Sequence, residues 1–352
     1  MRPLFFMASV LCIKLFLSRT LLTRRDFLMC TAATYLTKDF YFGRTFDNDF
    51  SYGESLVVLP RNYPLHFRQA GSVFSHYAMI GTAHIIEETP LYYDAANEKG
   101  LAMAGLNFVG NACYHPPIPT KDNITHFEVI TWILGQCATV REARTLLSRL
   151  NITPFPFHDK VPVAQLHWLI ADKSEAIVVE SVQDGVKVYD DPAGVLTNNP
   201  TFPEQMFHLN NFMSLSPKPP QNHFSKHLNL NTYSLGMGAI GLPGDLSSQS
   251  RFVRAAFTRL NSTSGDSETE SVSQFFHILN AVNQPRGCNE LESGKCEVTF
   301  YTSCCNTSRG IYYYTTYENR QISAVDLHHC DLSGTTPLTF PFLSTQHILY
   351  QN

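Results

Sequence analysis

Short hydrophobic runs, either alternating with polar residues or rich in β-branched residues, recur along the chain after residue 30. Such runs predict strands, which we place at 76–88, 101–110, 165–172, 175–182, 185–190, 297–303 and 310–317. Tight turn signals adjoin several of these strands, among them Asp184-Gly185 and Arg309-Gly310. Because such dipeptides favour tight hairpin turns, the pattern predicts strands that pair antiparallel with their neighbours.

Helical periodicity is limited to a few segments that follow one another in groups. Thr125 with Glu128, and Thr139 with Glu142, each fit the capping-box pattern that marks the start of a helix. Two further helices are predicted over residues 250–261 and 270–283. Hairpin strands together with consecutive helices indicate an α+β fold with antiparallel sheets.

The chain of 352 residues is long enough for one large domain or two small ones, and its composition is typical of a globular protein. The segment 203–243 contains Pro, Asn and Met residues and shows little periodicity. A loop of this length inside a domain usually has a function of its own. We expect it to be a lid or an assembly arm.

Charge and hydropathy exclude some classes of partner. A net charge of −4 and a sequence pI near 6.4 provide no basic surface for nucleic acid. After residue 30 no apolar run is long enough to span a bilayer, so no stable membrane partner is predicted. Aromatic residues make up 12% of the chain, which suits an apolar ligand pocket and plain β-sheet packing equally well.

Nine cysteines form an odd set in a long chain, which favours free thiols in a reducing compartment over a disulfide framework. Four of them raise the question of a zinc site: Cys288, Cys296, Cys304 and Cys305. None of these forms a C-x-x-C pair, and their intervals do not fit common structural zinc sites. We therefore predict no metal.

The first 29 residues allow three interpretations. Their apolar stretch resembles the core of a signal peptide, but Lys14 interrupts it and more basic residues follow before any small-residue cleavage site. A membrane anchor over residues 4–22 is the second interpretation, although the stretch is short. A secreted or membrane-anchored location follows only if residues 1–29 are a genuine signal or anchor.

The third interpretation is that residues 1–29 are an upstream segment and that translation starts at Met29. Arg24-Arg25 can be encoded by AGG-AGG, which is a bacterial ribosome-binding sequence, at a suitable distance before Met29. We favour this interpretation, and with it a bacterial protein located in the cytoplasm. Removal of Met29 would then leave Cys30 as the first residue.

A cysteine at the first position carries a nucleophile and a base on one residue. The α-amino group has a pKa of about 7.7–8.0, so a useful fraction is neutral near pH 7 and can take the proton of the thiol. The sequence "CTAATYLT" followed by "DFYFGRTFD" predicts a hairpin that brings Arg44 and Asp47 beside Cys30. There Asp47 could accept hydrogen bonds from the amine, and Arg44 could favour the thiolate. The alternative is a surface ion pair between Arg44 and Asp47.

Several blocks of sequence resemble one known family. "MCTAATYLTKDFYFGRTFDNDFSYGE" with "VLPRNYP" resembles the opening of the choloylglycine hydrolase family, the bile salt hydrolases and penicillin V acylases among the N-terminal nucleophile hydrolases. The resemblance continues in "YYDAANEKGLAMAGLNFVGNACY", "LHWLIADKSEAIVVE", "VLTNNPTF" and "GLPGDLSSQSRFVRAAF". The blocks keep the order of the family and cover nearly all of residues 29–352.

The resemblance implies a set of catalytic residues. Cys30 is the expected nucleophile and its own α-amine the base, and Arg44 and Asp47 support that pair. Asn107 and Asn198 match positions that help to bind the oxyanion and orient the substrate, and Arg251 matches a further charged member of the site. Side-chain amides can donate to a tetrahedral intermediate, although alone Asn107 and Asn198 would be taken for turn residues.

The same resemblance implies a four-layer αββα sandwich, formed by residues 30–352 as a single domain. It implies no cofactor, and a homotetramer assembled through the arm 203–243. Asn at position 107 is more typical of the bile salt hydrolases, whereas penicillin V acylases often have Tyr there, so conjugated bile acids are the expected substrates. The steroid is expected against Phe46, Phe155 and Phe157, for which ordinary core packing is the alternative.

Other activities remain open at this point. Penicillin V or acyl-homoserine lactones are alternative substrates, and the glycine and taurine head groups are not distinguished. A chain that retains Met29 would lack the base and could be an inactive protein that binds amphiphiles. A hydrolase that pairs an internal thiol such as Cys113 with a histidine is a further alternative without support from spacing.

Overall fold

The hairpin predicted after residue 30 lies inside a six-stranded antiparallel sheet. The computed structural model describes residues 29–158, 161–292 and 294–352, so the predictions for residues 1–28 lie outside the described residues. The sheet contains β1 (Cys30–Leu36), β2 (Phe40–Asn48), β14 (Val195–Leu196), β15 (Val298–Asn306), β16 (Ile311–Thr316) and β17 (Ser323–Asp326). Its order is β14-β1-β2-β15-β16-β17, with Cys30 directly opposite Phe46. Position 30 is therefore held by its strand partner.

A second antiparallel sheet has eight strands. Its members are β3 (Ser55–Leu59), β6 (Met79–Ile86), β7 (Thr89–Asn97), β8 (Ala102–Asn107), β11 (Leu166–Ala171), β12 (Ala176–Val182), β13 (Gly185–Asp190) and β18 (Leu338–Phe340). The order is β13-β12-β11-β8-β7-β6-β3-β18. Two short pairs complete the strands, β4 (Leu65–Phe67) with β5 (Gly71–Val73) and β9 (Asp122–Thr125) with β10 (Leu150–Thr153). Each strand predicted from the sequence is present.

Helices cover the outer faces of the two sheets. They are α1 (Val129–Gln136), α2 (Val140–Leu147), α3 (Phe202–His208), α4 (Ser248–Asn261) and α5 (Glu268–Asn280). Helices α4 and α5 pack on the six-stranded sheet, and α1 and α2 pack on the eight-stranded sheet. The two sheets face each other, with β1 and β2 against β8. This arrangement confirms the predicted αββα sandwich.

Two hydrophobic cores match these layers. One core joins the facing sheets and α4 and α5, and it includes Phe42, Ala104 and Phe275. The other lies between the eight-stranded sheet and α1 and α2, and it includes Trp132 and Trp168. Strands of the facing sheets are buried on both sides. Their sequences therefore include continuous apolar runs as well as runs in which apolar and polar residues alternate.

One predicted helix start is wrong. Thr125 is the last residue of β9, where it pairs in parallel with Thr153. The Glu128 carboxylate accepts the backbone N–H of Thr125 at 2.9 Å, as in a capping box, but it also accepts the N–H of Arg68. Helix α1 begins only at Val129. The second predicted start is confirmed, since the Thr139 hydroxyl accepts the N–H of Glu142 at 3.2 Å.

The long segment 203–243 has little regular structure. It begins within α3 and contains two short 3-10 helices, Leu209–Phe212 and Met237–Ala239. Eight cysteines of the described ranges are all free thiols. Within those same ranges no helix has both the length and the hydropathy needed to cross a bilayer.

Candidate active site

Cys30 lies at the start of β1 and its side chain is buried. Burial raises the pKa of the Cys30 thiol, because a thiolate is poorly stabilised away from water. Two neighbours oppose this effect: the positive charge of Arg44, and the backbone N–H of Asp47, which donates to the sulfur. The surroundings therefore compensate in part for the cost of forming a buried thiolate.

Arg44 is held beside Cys30 by neutral groups. Its buried guanidinium donates to the backbone carbonyl oxygens of Gly105 at 2.6 Å, Tyr93 at 3.1 Å and Thr45 at 3.2 Å. Carbonyl oxygens fix the guanidinium, and among its charged neighbours the Cys30 thiolate interacts with it most strongly, ahead of Asp94 and Asp47. The charge of Arg44 therefore stabilises the Cys30 thiolate, which is the role predicted for Arg44.

Asp47 is buried on β2, and hydroxyl groups bind both of its carboxylate oxygens. Thr299 donates to Oδ1 at 2.6 Å and Thr45 donates to Oδ2 at 3.2 Å. Burial raises the pKa of Asp47 to about 6, and the charge of Arg251 opposes the rise. The predicted hydrogen bond from the Cys30 nitrogen has a different acceptor in the structure.

That acceptor is the side chain of Asn198. The backbone N–H of Cys30 donates to Oδ1 of Asn198 at 2.9 Å. Arg251, fully buried on α4, donates to the same oxygen at 2.8 Å, and it also donates to the carbonyl oxygen of Cys30 at 2.6 Å. A third bond of 2.7 Å runs from Arg251 to the hydroxyl of Thr31. Arg251 and Asn198 thus fix the backbone on both sides of the Cys30 Cα.

The other end of the Asn198 amide contacts Asn107. Nδ2 of Asn198 donates to the backbone oxygen of Asn107, the last residue of β8, at 2.8 Å. A primary amide carries two N–H bonds, so a second donor remains on Nδ2. Asn198 itself is held by Ser248, whose hydroxyl accepts its backbone N–H at 2.8 Å. The structure thus brings together all six predicted catalytic residues.

Glu297 was not identified from the sequence. It lies directly before β15, is fully buried, and accepts the backbone N–H of Met29 at 2.5 Å and the amide of Asn289 at 2.6 Å. Burial raises the pKa of Glu297 to about 7, and the neighbouring charge of Asp47 adds to the rise. The only signal in the sequence is a charged residue at the start of a predicted strand, which is common on protein surfaces.

The three predicted substrate-binding phenylalanines lie in different places. Phe46 is buried beside the site, stacked on Tyr301 with ring centroids 5.3 Å apart. Phe155 is exposed. Phe157 packs edge-on against Phe127 and lines a separate cavity of about 200 Å³. Phe46 is therefore the one of the three that shares contacts with the catalytic residues.

The comparison with known proteins agrees with this geometry. A family profile described as linear amide C-N hydrolases, choloylglycine hydrolase family, matches residues 30–340. The chain belongs to this family. A relative from Lactiplantibacillus plantarum named bile salt hydrolase/transferase is 53% identical, over 90% of this chain and 98% of the relative. A second, from Clostridium perfringens and with the same name, is 36% identical over 92% of this chain and 100% of the relative.

Two solved structures have the same fold as this chain. The conjugated bile acid hydrolase of Clostridium perfringens superimposes with a TM-score of 0.85 at 35% identity, over 92% of this chain and all of that one. A penicillin V acylase from Agrobacterium tumefaciens has a TM-score of 0.72 at 20% identity, over 91% of this chain and 94% of that one. Membership of the choloylglycine hydrolase family makes this protein an amide hydrolase.

Proposed function

We propose that this protein hydrolyses the amide bond of glycine- or taurine-conjugated bile acids through a thioester on Cys30. The observation that carries the proposal is the surroundings of Cys30. Its sulfur faces Arg44 and the N–H of Asp47, and its nitrogen is held by Asn198. The family match begins at residue 30, which supports processing that leaves Cys30 first.

The reaction follows from these positions. The neutral α-amine of processed Cys30 takes the thiol proton, and the thiolate attacks the amide carbon. The second N–H of Asn198 and the side chain of Asn107 are proposed to stabilise the oxyanion. The protonated amine then gives its proton to the leaving glycine or taurine nitrogen, which leaves a thioester. Water hydrolyses the thioester, releases the bile acid and restores the thiol.

A series of aromatic rings leads from the surface to Phe46. Phe50 and Tyr52 are exposed and contact each other, with ring centroids 4.6 Å apart. Tyr52 approaches Tyr93 at 6.2 Å, and Tyr93 packs on Phe46 at 4.7 Å. Phe46 pairs with Cys30 across β1 and β2. Exposed aromatic groups beside a nucleophile suit an apolar acyl group such as a steroid, in agreement with the names of the relatives.

The experiment is a substrate panel with purified protein whose first residue has been verified as Cys30. Released glycine and taurine are quantified for conjugated cholic acids, together with hydrolysis of penicillin V and of an acyl-homoserine lactone. We expect the conjugated bile acids to have the highest kcat/KM. Preferred cleavage of penicillin V or the lactone would contradict the substrate assignment.

Cys30→Ala is the matched control for this panel. It should fold normally and lose activity by about 10³-fold or more, because nucleophile and thioester are both removed. The thermal unfolding midpoint and the elution volume would verify the fold. Substantial hydrolysis by folded Cys30→Ala would contradict the mechanism.

Acyl transfer is a second activity of the same thioester. The relative that is 53% identical is named hydrolase/transferase. An amine that replaces water in the last step would form a new amide and regenerate the thiol. Incubation of a taurine conjugate with free glycine should then produce some glycine conjugate. Its absence, with hydrolysis intact, would restrict the protein to hydrolysis.

We also propose that the arm 203–243 assembles the protein into a homotetramer, which would function in the bacterial cytoplasm. Its exposed apolar side chains support the proposal: Phe207, Met213, Phe224, Leu228, Leu230, Tyr233, Leu235 and Ile240. Light scattering on the full chain should give four times the mass of one chain. Leu235→Glu should reduce that mass. An unchanged mass would show that the arm is not part of the interface.

A further inference from the structure

A second buried carboxylate lies beside the nitrogen of the nucleophile. β15 pairs with β2 so that Thr299 is opposite Asp47, and Glu297 lies just before the first residue of β15. This register brings Glu297 to the end of β2 that also carries Asp47. The Glu297 side chain is fully buried, although glutamate is among the residues least often buried without a partner.

The partner of Glu297 is the chain just before Cys30. Its Oε1 accepts the N–H of Met29 at 2.5 Å. The backbone nitrogens of Met29 and Cys30 lie at most about 3.8 Å apart, because one peptide unit joins consecutive residues. Oε1 is therefore within about 6 Å of the Cys30 nitrogen. Removal of Met29 takes away the present N–H donor and turns the Cys30 nitrogen into an amine.

We propose that Glu297 is a positioning residue for the α-amino group of processed Cys30, and that it stabilises the ammonium form of that group during catalysis. The proposal rests on Cys30 acting as the N-terminal nucleophile. Asn198 holds the amine through Oδ1 on one side, and Glu297 faces it from the side that Met29 leaves. The positive charge of the adjacent ammonium must lower the pKa of Glu297 below the value of about 7 that burial gives it beside Met29, so Glu297 stays ionised and takes up no proton in this role. The proton passes from the Cys30 thiol to the amine and then to the leaving nitrogen.

The charges around Glu297 set the direction of its effect. Asp47 and Asp49 contribute negative charge, Arg251 contributes positive charge, and Cys30 faces the same region. The negative charge of Glu297 raises the pKa of the Cys30 thiol, and the same charge must raise the pKa of the adjacent amine. Loss of this charge therefore lowers both pKa values.

Glu297→Gln tests the proposal because it removes the charge and keeps the shape. In the pH profile of kcat/KM for a conjugated bile acid, the acid limb is the fall in activity toward low pH. This limb should shift to lower pH by about one unit, as expected for a charge within about 4–6 Å. We expect kcat to fall about tenfold, because the ammonium form is less stabilised. Glu297→Asp keeps the charge and should return the acid limb close to that of the parent protein.

Asp191→Asn is a matched control. Asp191 is also a buried carboxylate whose pKa is raised to about 7, but it accepts the N–H of Gly194, the residue directly before β14. This variant loses an equivalent buried charge in the loop between β13 and β14, and its acid limb should not move. An equal shift in both variants would show a general effect of charge or stability and would overturn the proposal.

A second readout separates this proposal from the proposed substrate. The rate of Cys30 alkylation by iodoacetamide, followed by intact mass as a function of pH, requires no substrate. Its midpoint should also move to lower pH in Glu297→Gln. If the parent protein cleaves no bile acid but the midpoint moves, the substrate assignment fails and the role of Glu297 stands. An unmoved midpoint in the folded, processed variant, or retention of Met29 by that variant, would overturn the proposal.

Discussion

The guanidinium of Arg251 donates a hydrogen bond of 2.6 Å to the backbone carbonyl oxygen of Cys30. The two residues are 221 positions apart, on α4 and β1. The same side chain bonds Asn198, and its charge opposes the raised pKa of Asp47. One buried cation therefore links the backbone of the nucleophile, the amide that holds its nitrogen, and the nearest carboxylate.

Arg251→Met should reduce both stability and activity. The substitution keeps an apolar stem of similar length but removes the donors to Cys30, Thr31 and Asn198 and one of the positive charges near Asp47. Because hydrogen bonds from a charged group contribute about 1.5–3 kcal/mol each, the free energy of unfolding should fall by about 3–5 kcal/mol. Urea unfolding measures this loss, with Arg254→Met as the control, because Arg254 is half-exposed on the same helix. Equal losses in the two variants would argue against a special role for Arg251.

Thr299→Val should move the acid limb of activity to higher pH. The Thr299 hydroxyl donates to the Asp47 carboxylate and lowers the pKa of Asp47, which burial raises to about 6. Without this bond the pKa rises further, so the carboxylate is lost at a higher pH. A shift of about half a unit to one unit in the profile of kcat/KM is expected.

Thr302→Val is the control for that shift. Thr302 is buried on the same strand and lies opposite Thr45. The variant removes a hydroxyl from the sheet without removing the bond to Asp47. A shift of the acid limb in Thr302→Val of the same size as in Thr299→Val would show that the Thr299–Asp47 bond does not set the profile.

Asn107→Tyr should change the choice of substrate. Asn107 ends β8 and its backbone oxygen bonds Asn198. Tyr keeps that backbone contact but replaces a primary amide by a phenol. The resemblance described above associates Asn with bile salt hydrolases and Tyr with penicillin V acylases. We expect the ratio of kcat/KM for a conjugated bile acid to that for penicillin V to fall by about tenfold, a loss that one oxyanion donor can account for. An unchanged ratio would remove this position as a reason for preferring bile acids.

Asp191→Asn should change how stability depends on pH. In the folded chain burial raises the pKa of Asp191 to about 7 from an ordinary value of 3.8. Between these values the folded state binds more protons than the unfolded state, so the contribution of Asp191 to stability is lost as the pH rises. The unfolding free energy of the parent should therefore fall relative to that of the variant between about pH 4 and pH 7, by up to about 4 kcal/mol. Parallel curves would contradict the assigned pKa.

The strands were predictable because their signal is local. The run 185–190 is β13 residue for residue, since an Asp-Gly turn precedes it and alternation continues to its end. Thr125 shows the limit of local patterns. Its spacing to Glu128 fits a capping box, but tertiary pairing with Thr153 makes it the end of a strand.

Most of the site was predictable only through resemblance to a family. Spacing suggested Arg44 and Asp47, because a hairpin places them beside Cys30. No local pattern connects Cys30 with Asn198 or Arg251, which lie 168 and 221 residues away. Glu297 was missed for the same reason, since its contact with Met29 spans 268 residues. Such contacts depend on how the two sheets and α4 come together.

The most direct test of the account is the intact mass and N-terminal sequence of the protein expressed from its native gene with its own upstream DNA. We predict a chain that begins at Cys30, with a free α-amino group beside Asn198. A chain that begins at Met1, or that retains Met29, would leave Cys30 without its base. That result would contradict amide hydrolysis through an N-terminal nucleophile and would favour an inactive protein that binds amphiphiles.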